Sequence, residues 1–213
     1  MVIDIGSNLG VYTLFASKLE RDVLSVEPFE DNILRFRKAV KIQALEKRII
    51  LLNNLVYNKP GIVKRIGFTT DNYGNQIIQK ESDDKYQEME NKFLVKSIVM
   101  DDLINFLPIN PNTNKVYEKA ILKIDIEGFE AYAFQSASNL LKSIDIRFIF
   151  MEWTHVKKAK NNTIEYRYLV EMVELLKSNG YKPYTLSSKL LELGQFQKWN
   201  IKDVLWKKEE LKG

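Results

Sequence analysis

Cysteine is absent from the 213-residue chain, and His155 is its only histidine. The missing thiols exclude disulfide frameworks, thiolate zinc sites, iron–sulfur clusters and cysteine nucleophiles. The single imidazole excludes metal sites built from several histidines and leaves one candidate centre for a serine hydrolase triad. Enzyme classes that depend on thiol or multi-histidine chemistry are therefore excluded.

Glycine, proline and long apolar runs are also scarce. Nine glycines and five prolines are too few for a collagen-like or low-complexity chain, and 45% hydrophobic residues supply ample material for a buried core. No run of about 18 apolar residues and no charged-then-apolar leader occurs, so we expect no membrane segment, no signal peptide and, by default, a soluble cytoplasmic protein. The net charge of +4 is too small to indicate a nucleic-acid partner.

Short apolar runs alternate with segments of helical periodicity along most of the chain, which is typical of a parallel sheet flanked by helices. The predicted strands are Val2–Ile5, Val23–Val26, Ile49–Leu52, Ile121–Ile124 and Phe148–Met151, with Tyr181–Leu186 and Asp203–Trp206 as an end pair. Helical spacing of apolar residues runs from Val11 to Leu19, Ile33 to Ala44, Phe134 to Leu141 and Leu169 to Leu176. At about 150 residues per domain, the length predicts one α/β domain over residues 1–213.

The middle and the start of the chain differ from this pattern. Residues 62–68 and 76–78 predict an irregular hairpin, and a polar excursion follows over residues 79–96. Long loops in compact domains are either solvated or cover a site, so the excursion is a candidate for the edge of a substrate site. The sequence opens directly on a predicted strand. It is therefore compatible with a fragment of a longer protein that has further residues upstream of Met1.

A glycine-containing turn follows the first predicted strand, where Asp4 leads into Gly6 and Gly10 and then into a helical pattern. Glycine lets a backbone approach a ligand closely, and the N–H groups of a helix start favour an anionic group. The dinucleotide fingerprint has a second glycine where this chain has Asn8, so the spacing for pyrophosphate is not met. The segment is either a cofactor turn or a structural glycine turn of an α/β protein.

Polar side chains follow the second and third predicted strands. Glu27 comes about 20 residues after the acid of the first strand, where a carboxylate can accept hydrogen bonds from a ribose diol. Its alternative role as a charge at the next helix start is already filled by Glu30 and Asp31. Asn53 and Asn54 either read an adenine edge through paired donors and acceptors or form a turn.

Acidic residues end the fourth and fifth predicted strands. Asp125 and Glu127 follow one strand, Glu152 ends the next, and His155 comes three residues later. Because ligands lie outside the carboxyl ends of parallel strands, we expect these groups to face the same crevice as the glycine turn. Helix capping explains Glu130 but requires no acid at Asp125. His155 is either a catalytic group or an ordinary loop residue.

Taken in order, these segments resemble the FkbM family of methyltransferases. The resemblance is carried by Val2–Gly10, Glu27-Pro28, Met100–Leu103, Lys123–Glu130 and Phe150–Glu152. It spans nearly the whole chain; its Asp-x-Glu-Gly-x-Glu element is fairly specific, whereas all class I methyltransferases share the glycine turn. The resemblance implies a Rossmann-like class I methyltransferase fold, with a mostly parallel seven-stranded sheet and helices on both faces. It also implies S-adenosylmethionine as cofactor and O-methylation of a hydroxyl on a sugar, glycan or secondary metabolite.

Given this resemblance, we also predict roles for the site residues. Cofactor contacts would come from Asp4, Gly6, Asn8, Gly10, Glu27, Asn53, Asn54 and Asp125. A base, or a divalent ion that acidifies the acceptor hydroxyl, would be supplied or held by Asp125, Glu127, Glu152 or His155, and oxygen ligands would suit Mg²⁺ better than Zn²⁺. Two alternatives remain open: an inactive cofactor-binding module of the same fold, and a nicotinamide-dependent oxidoreductase.

Overall fold

The computed structural model of the chain describes residues 1–61, 63–68, 76–78 and 94–209, with side chains described outside residues 62–93. The α-helices of this part are α1 (Val11–Lys18), α2 (Glu30–Ile42), α3 (Glu130–Phe134), α4 (Ser138–Ser143) and α5 (Ile164–Ser178). Its strands are β1 (Val2–Ile5), β2 (Val23–Val26), β3 (Ile49–Leu52), β4 (Leu55–Val56), β5 (Val63–Phe68), β6 (Gln76–Ile78), β7 (Leu94–Ile98), β8 (Ile109–Asn110), β9 (Lys115–Val116), β10 (Lys119–Ile124), β11 (Asp145–Glu152), β12 (Tyr181–Tyr184) and β13 (Asp203–Lys208). No helix within these residues is both long and apolar enough to cross a membrane.

Seven strands form the central sheet, in the order β12-β13-β11-β10-β1-β2-β3. Strand β13 pairs antiparallel with β11 and β12, while the remaining neighbours pair in parallel. Successive residues of a strand point to opposite faces, and every residue of β2 is buried, so both faces of the sheet are covered. The predicted α/β class with a mostly parallel seven-stranded sheet is confirmed.

The predicted strand bounds hold best for the first three strands. Strands β1, β2 and β3 have the predicted bounds, because each is a short run made mainly of Ile, Leu and Val. Strands β10 and β11 begin earlier than predicted, at Lys119 and Asp145, where polar residues interrupt the apolar pattern but the ladder of hydrogen bonds continues. The strand predicted over Tyr181–Leu186 ends at Tyr184, and the one predicted over Asp203–Trp206 continues to Lys208.

The helix predicted across Phe134 to Leu141 is wrong as a single element. The structure breaks it into α3 and α4, and Ser136 lies in the break. The Ser136 carbonyl accepts a hydrogen bond of 2.9 Å from the Asp101 N–H. The Asp101 carboxylate in turn accepts hydrogen bonds from the N–H groups of Asn139 and Leu140 at the start of α4, at 3.0 and 2.8 Å. The break therefore depends on a contact with a distant part of the chain.

A second sheet has the order β4-β7-β5-β6. Strands β5 and β6 pair antiparallel, which confirms the predicted hairpin. The predicted polar excursion over residues 79–96 is too long, because residues 94–96 belong to β7, in which Val95 and Ser97 are buried. The rest of that excursion, residues 79–93, lies outside the described residues.

The order of the strands determines where a ligand-binding crevice is expected in this fold. From β1 the chain proceeds to β2 on one side, and the later strand β10 joins β1 on its other side. The carboxyl ends of β1 and β10 are thus the switch point at which open α/β sheets bind ligands. The two segments meet there, because the Asp125 N–H donates a 3.1 Å hydrogen bond to the Ile5 carbonyl.

Candidate functional site

The turn between β1 and α1 is shaped by two glycines. Gly6 has φ +75° and Gly10 has φ +83°, in the left-handed region. A Cβ atom on Gly6 would lie 1.9 Å from the Asp125 carbonyl oxygen, and one on Gly10 would lie 2.3 Å from the Phe36 ring. Asn8 between them has φ +52°, which asparagine tolerates better than most residues. Gly6 and Gly10 cannot be replaced by larger residues without a clash, because the turn packs directly against Asp125 and Phe36.

Glu27, at the end of β2, is held by three hydrogen-bond donors. Its side chain is buried, and its Oε2 atom accepts from the Asn8 N–H at 2.8 Å. Its Oε1 atom accepts from the Phe29 N–H at 3.1 Å and from the Asn32 Nδ2 at 3.2 Å. Burial raises the pKa of Glu27, while these hydrogen bonds oppose the rise. Since Oε2 accepts from one described donor, it keeps acceptor capacity for a ligand.

A cavity of about 290 Å³ opens between the glycine turn and the ends of the strands. Of the residues predicted to contact a cofactor, Gly6, Asn8, Glu27 and Asp125 line it. This volume is close to the lower limit of about 300 Å³ for small-molecule sites. The structure therefore brings half of the residues predicted to contact the cofactor to one cavity.

Asp4 is placed beneath the turn and is not among the described residues that line the cavity. Its side chain has no exposed surface, and its Oδ2 atom accepts a 2.7 Å hydrogen bond from the Thr13 hydroxyl of α1. Its Oδ1 atom lies 3.4 Å from the Lys123 Nζ atom. The structure thus does not bring this carboxylate to the described wall of the cavity, and Asp4 joins β1 to α1 through Thr13.

The two predicted adenine-reading asparagines, like Gly10, are outside the described lining of the cavity. The Asn53 Nδ2 atom donates to the backbone carbonyls of Glu27 and Pro28, at 3.1 and 3.0 Å. The Asn54 Nδ2 atom donates to the Lys96 carbonyl of β7 at 3.0 Å. Asn53 therefore supports the strand end that carries Glu27, whereas Asn54 joins the two sheets.

Lys123 is a site residue that the sequence reasoning missed. Its Nζ atom donates to the Gly6 carbonyl at 2.8 Å and lies 3.9 Å from the Asp125 carboxylate. It also lies 5.6 Å from the ring centroid of Tyr12, and both residues line the cavity. The available signal was a lysine between two apolar residues of a buried strand, where a charge requires partners.

His155 is bound between two carboxylates. Its Nδ1 atom lies 3.2 Å from the Glu127 Oε2 atom and 3.1 Å from the Glu152 Oε2 atom. Burial raises the pKa values of Asp125 and Glu127, and the negative charge of Glu152 adds to both shifts. The structure thus brings together all four residues predicted to be catalytic.

The backbone on each side of this group is strongly constrained. Glu127 has φ +56°, a conformation that side-chain-bearing residues seldom adopt, and it turns its carboxylate towards His155. On the other strand, Trp153 follows Glu152 and packs against Trp199 and Trp206, with ring centroids 5.0 to 6.3 Å apart. This aromatic cluster anchors the segment that carries the imidazole.

Glu130, the first residue of α3, is completely buried. Its Oε1 atom accepts a 2.8 Å hydrogen bond from the Ile126 N–H, which closes the turn as a helix cap would. Its Oε2 atom has no hydrogen-bond partner among the described residues. Burial raises the pKa of Glu130 to about 8.

A second cavity, of about 380 Å³, adjoins the first. Glu127 lines both cavities, and His155 lines the second. Apolar and aromatic side chains form much of its wall, including Phe129 and Tyr132. The Tyr132 ring stacks on Tyr57 at 5.2 Å, which fixes its orientation. The imidazole and the Glu127 carboxylate therefore lie where the two cavities meet.

The strand order, the single reversed strand and the acid-lined crevice at the switch point define a Rossmann-like class I methyltransferase fold. A family model described as the methyltransferase FkbM domain matches residues 4–183. The chain therefore belongs to the FkbM methyltransferase family. The family predicted from the resemblance is therefore confirmed, and its model is described as a methyltransferase domain.

Solved structures with similar folds include the methyltransferase FkbM of Methylobacillus flagellatus KT. It is 13% identical with a TM-score of 0.56, over 97% of this chain and 43% of that chain. A putative rRNA methylase of Clostridium thermocellum is 9% identical with a TM-score of 0.48, over 96% and 85% of the two chains. Magnesium protoporphyrin IX methyltransferase of Synechocystis PCC 6803, solved with bound S-adenosylmethionine, is 10% identical with a TM-score of 0.47, over 98% and 70%. No curated protein sequence matches the chain.

Proposed function

We propose that the chain transfers a methyl group from S-adenosylmethionine to a hydroxyl of a sugar, glycan or secondary metabolite. The observation that carries this proposal is the junction of the two cavities. There, Glu127 lines both cavities and contacts the imidazole of His155 at 3.2 Å. A donor in the first cavity and an acceptor in the second would meet at that junction.

The first cavity has the groups that an adenosyl cofactor requires. Glu27 keeps acceptor capacity on Oε2, which suits a ribose hydroxyl. Gly6 has no side chain to obstruct a ligand, and the first N–H groups of α1 have no partner within the helix. The bound cofactor would supply a methyl group on a sulfonium. The neutral thioether that remains after transfer is a good leaving group.

His155 is the base in this proposal. Its Nδ1 atom lies near two carboxylates, so the proton is assigned to Nδ1, and Nε2 carries the lone pair. In the proposed step Nε2 takes the proton of the acceptor hydroxyl while the acceptor oxygen bonds the methyl carbon. The bound donor would supply the methyl group as its carbon–sulfur bond breaks, and the electron pair of that bond would go to sulfur. Glu127 and Glu152 stabilise the imidazolium that forms.

The second cavity is the proposed acceptor site. Its wall combines the rings of Phe129 and Tyr132 with the polar groups of His155 and Glu165. Aromatic faces with a few convergent polar groups suit a sugar or another ring compound that carries a hydroxyl.

Calorimetric titration with S-adenosylmethionine, S-adenosylhomocysteine and NAD tests the cofactor. We expect micromolar binding of the first two compounds and none of NAD. Glu27→Gln should weaken binding about 10- to 100-fold, because hydrogen bonds to a charged group are worth about 1.5–3 kcal/mol. Glu30→Gln, which changes an exposed acid of the same type on α2, is the matched control and should bind normally. Binding of NAD alone would favour the oxidoreductase alternative.

A methyl-transfer screen with hydroxyl-bearing acceptors tests the reaction. We expect S-adenosylhomocysteine release that depends on the acceptor, and a product that has gained one methyl group on oxygen. Cofactor binding without turnover on sugars, glycans or metabolites would favour the inactive cofactor-binding module instead.

A further inference from the structure

Three carboxylates converge where β10 and β11 end. One oxygen atom from each of Asp125, Glu130 and Glu152 lies within 4.8 Å of the other two. Glu130 is completely buried and Glu152 is 8% exposed, while the Asp125 side chain is 42% exposed and lines the first cavity. Carboxylates this close repel one another when ionised, and a cation bound between them would relieve that repulsion.

The hydrogen bonds of Glu130 are incomplete. Its Oε1 atom accepts from the Ile126 N–H, but its Oε2 atom is buried and has no partner among the described residues. A buried polar atom without a partner destabilises the folded state, and an ion bound at that atom is one of the few explanations. The Nζ atom of Lys123 is directed to the Gly6 carbonyl at 2.8 Å and the Asp4 carboxylate at 3.4 Å, and it forms no ion pair with Glu130 among the described residues.

We propose that Asp125, Glu130 and Glu152 bind one divalent cation of the class that prefers oxygen ligands, represented by Mg²⁺ and Mn²⁺. All three ligand atoms are carboxylate oxygens, which suit these ions better than Zn²⁺. In an octahedral shell with bonds of about 2.1 Å, ligand oxygens lie about 3.0 Å apart when adjacent and about 4.2 Å apart when opposite. The observed separations fall within 4.8 Å, so small movements of the side chains close the shell. Water and a ligand in the first cavity would complete it.

A second group of residues, Glu127, Glu152 and His155, also has the spacing of a metal site. Its short distances are already accounted for by the Nδ1 atom of the imidazole, which forms a hydrogen bond with Glu152 at 3.1 Å and lies 3.2 Å from Glu127. The group therefore has no unsatisfied atom that points to an ion, in contrast to Glu130. Cation binding by the three carboxylates does not depend on the proposed methyl transfer, so either idea can fail without the other.

Mn²⁺ binding to the full chain, without cofactor or acceptor, tests the site. Electron paramagnetic resonance follows the loss of the free Mn²⁺ signal, and we expect one ion per chain that Mg²⁺ displaces. Glu130→Gln and Glu152→Gln should each weaken Mn²⁺ binding at least about 10-fold, since each removes a ligand of the shell. Asp145→Asn is the matched control, because Asp145 begins β11 while Glu152 ends it, and this variant should bind Mn²⁺ normally.

Circular dichroism establishes that each variant is folded. Asp125→Asn changes a partly exposed carboxylate, so this variant is expected to fold even if the variants of the buried residues do not. Weaker Mn²⁺ binding by folded Asp125→Asn would then support the site. The proposal is overturned if the wild-type chain takes up no Mn²⁺ at millimolar concentration, or if the folded variants bind as the wild type does. Loss of binding in His155→Gln, with normal binding in Asp125→Asn, would move the site to the other group and overturn the assignment.

Discussion

At the scale of single residues, the imidazole of His155 is oriented through one nitrogen only. Its Nδ1 atom is bound by Glu127 and Glu152, and its Nε2 atom has no partner in the described part of the chain. We expect His155→Gln to lower kcat for methyl transfer about 10²- to 10⁴-fold, the usual contribution of a general base. Steady-state kinetics and calorimetry check this, and cofactor affinity should not change because His155 does not line the first cavity. An unchanged kcat would contradict the assigned role.

Lys123 links β10 to β1 and to the turn that follows β1 through one ammonium group. It contacts the buried Asp4 carboxylate at 3.4 Å and the Gly6 carbonyl at 2.8 Å. Lys123→Met should lower the free energy of unfolding by about 3 kcal/mol, because it leaves a buried charge without its partner. Urea denaturation measures this loss, with Lys119→Met at the exposed start of the same strand as the control. Equal stability of the two variants would show that the ammonium group is dispensable.

At the scale of elements, the turn between β1 and α1 depends on contact with the turn after β10. A methyl group on Gly6 would meet the Asp125 carbonyl at 1.9 Å, and the φ of +75° is unfavourable for alanine. Gly6→Ala should therefore reduce the free energy of unfolding by at least about 2 kcal/mol and weaken binding of S-adenosylmethionine. Gly194→Ala is the control, since no atom lies within 4 Å of the added methyl group. Denaturation curves that coincide for the two variants would contradict this account.

The elements also show where periodicity stops being informative. Apolar spacing continues through Phe134, Ala137 and Leu141, so the pattern predicts one helix. The break at Ser136 is made by Asp101, whose carboxylate binds the start of α4 at 3.0 and 2.8 Å. The spacing of apolar residues within a window of about 15 residues carries no information about Asp101, which lies in a distant part of the sequence.

At the scale of the whole molecule, cofactor binding and stability are linked. A ligand that binds only the folded state at 100 times its Kd stabilises it by about 2.7 kcal/mol. For a domain of about 200 residues this raises Tm by about 5–10 °C. We expect S-adenosylmethionine to produce this shift in the wild type and Glu30→Gln, and a smaller one in Glu27→Gln. Calorimetric scans measure it, and a single cooperative transition would also support the prediction of one domain over residues 1–213.

The amino-acid pattern was enough to predict the fold class, the central strands and the strand ends at which Glu27, Asp125 and Glu152 lie. Buried strands of a parallel sheet are largely apolar runs, so the polar residues that follow them stand out. Which of these side chains reach a cavity depends on how the chain packs in three dimensions. The fold buries Asp4 beneath the turn and directs Asn54 to the second sheet. It places Lys123 in the wall of the crevice and brings the buried Glu130 close to Asp125 and Glu152. The physical reason is that a side chain's direction and partners depend on contacts between distant segments, such as the Lys123 hydrogen bond to Gly6 across 117 positions.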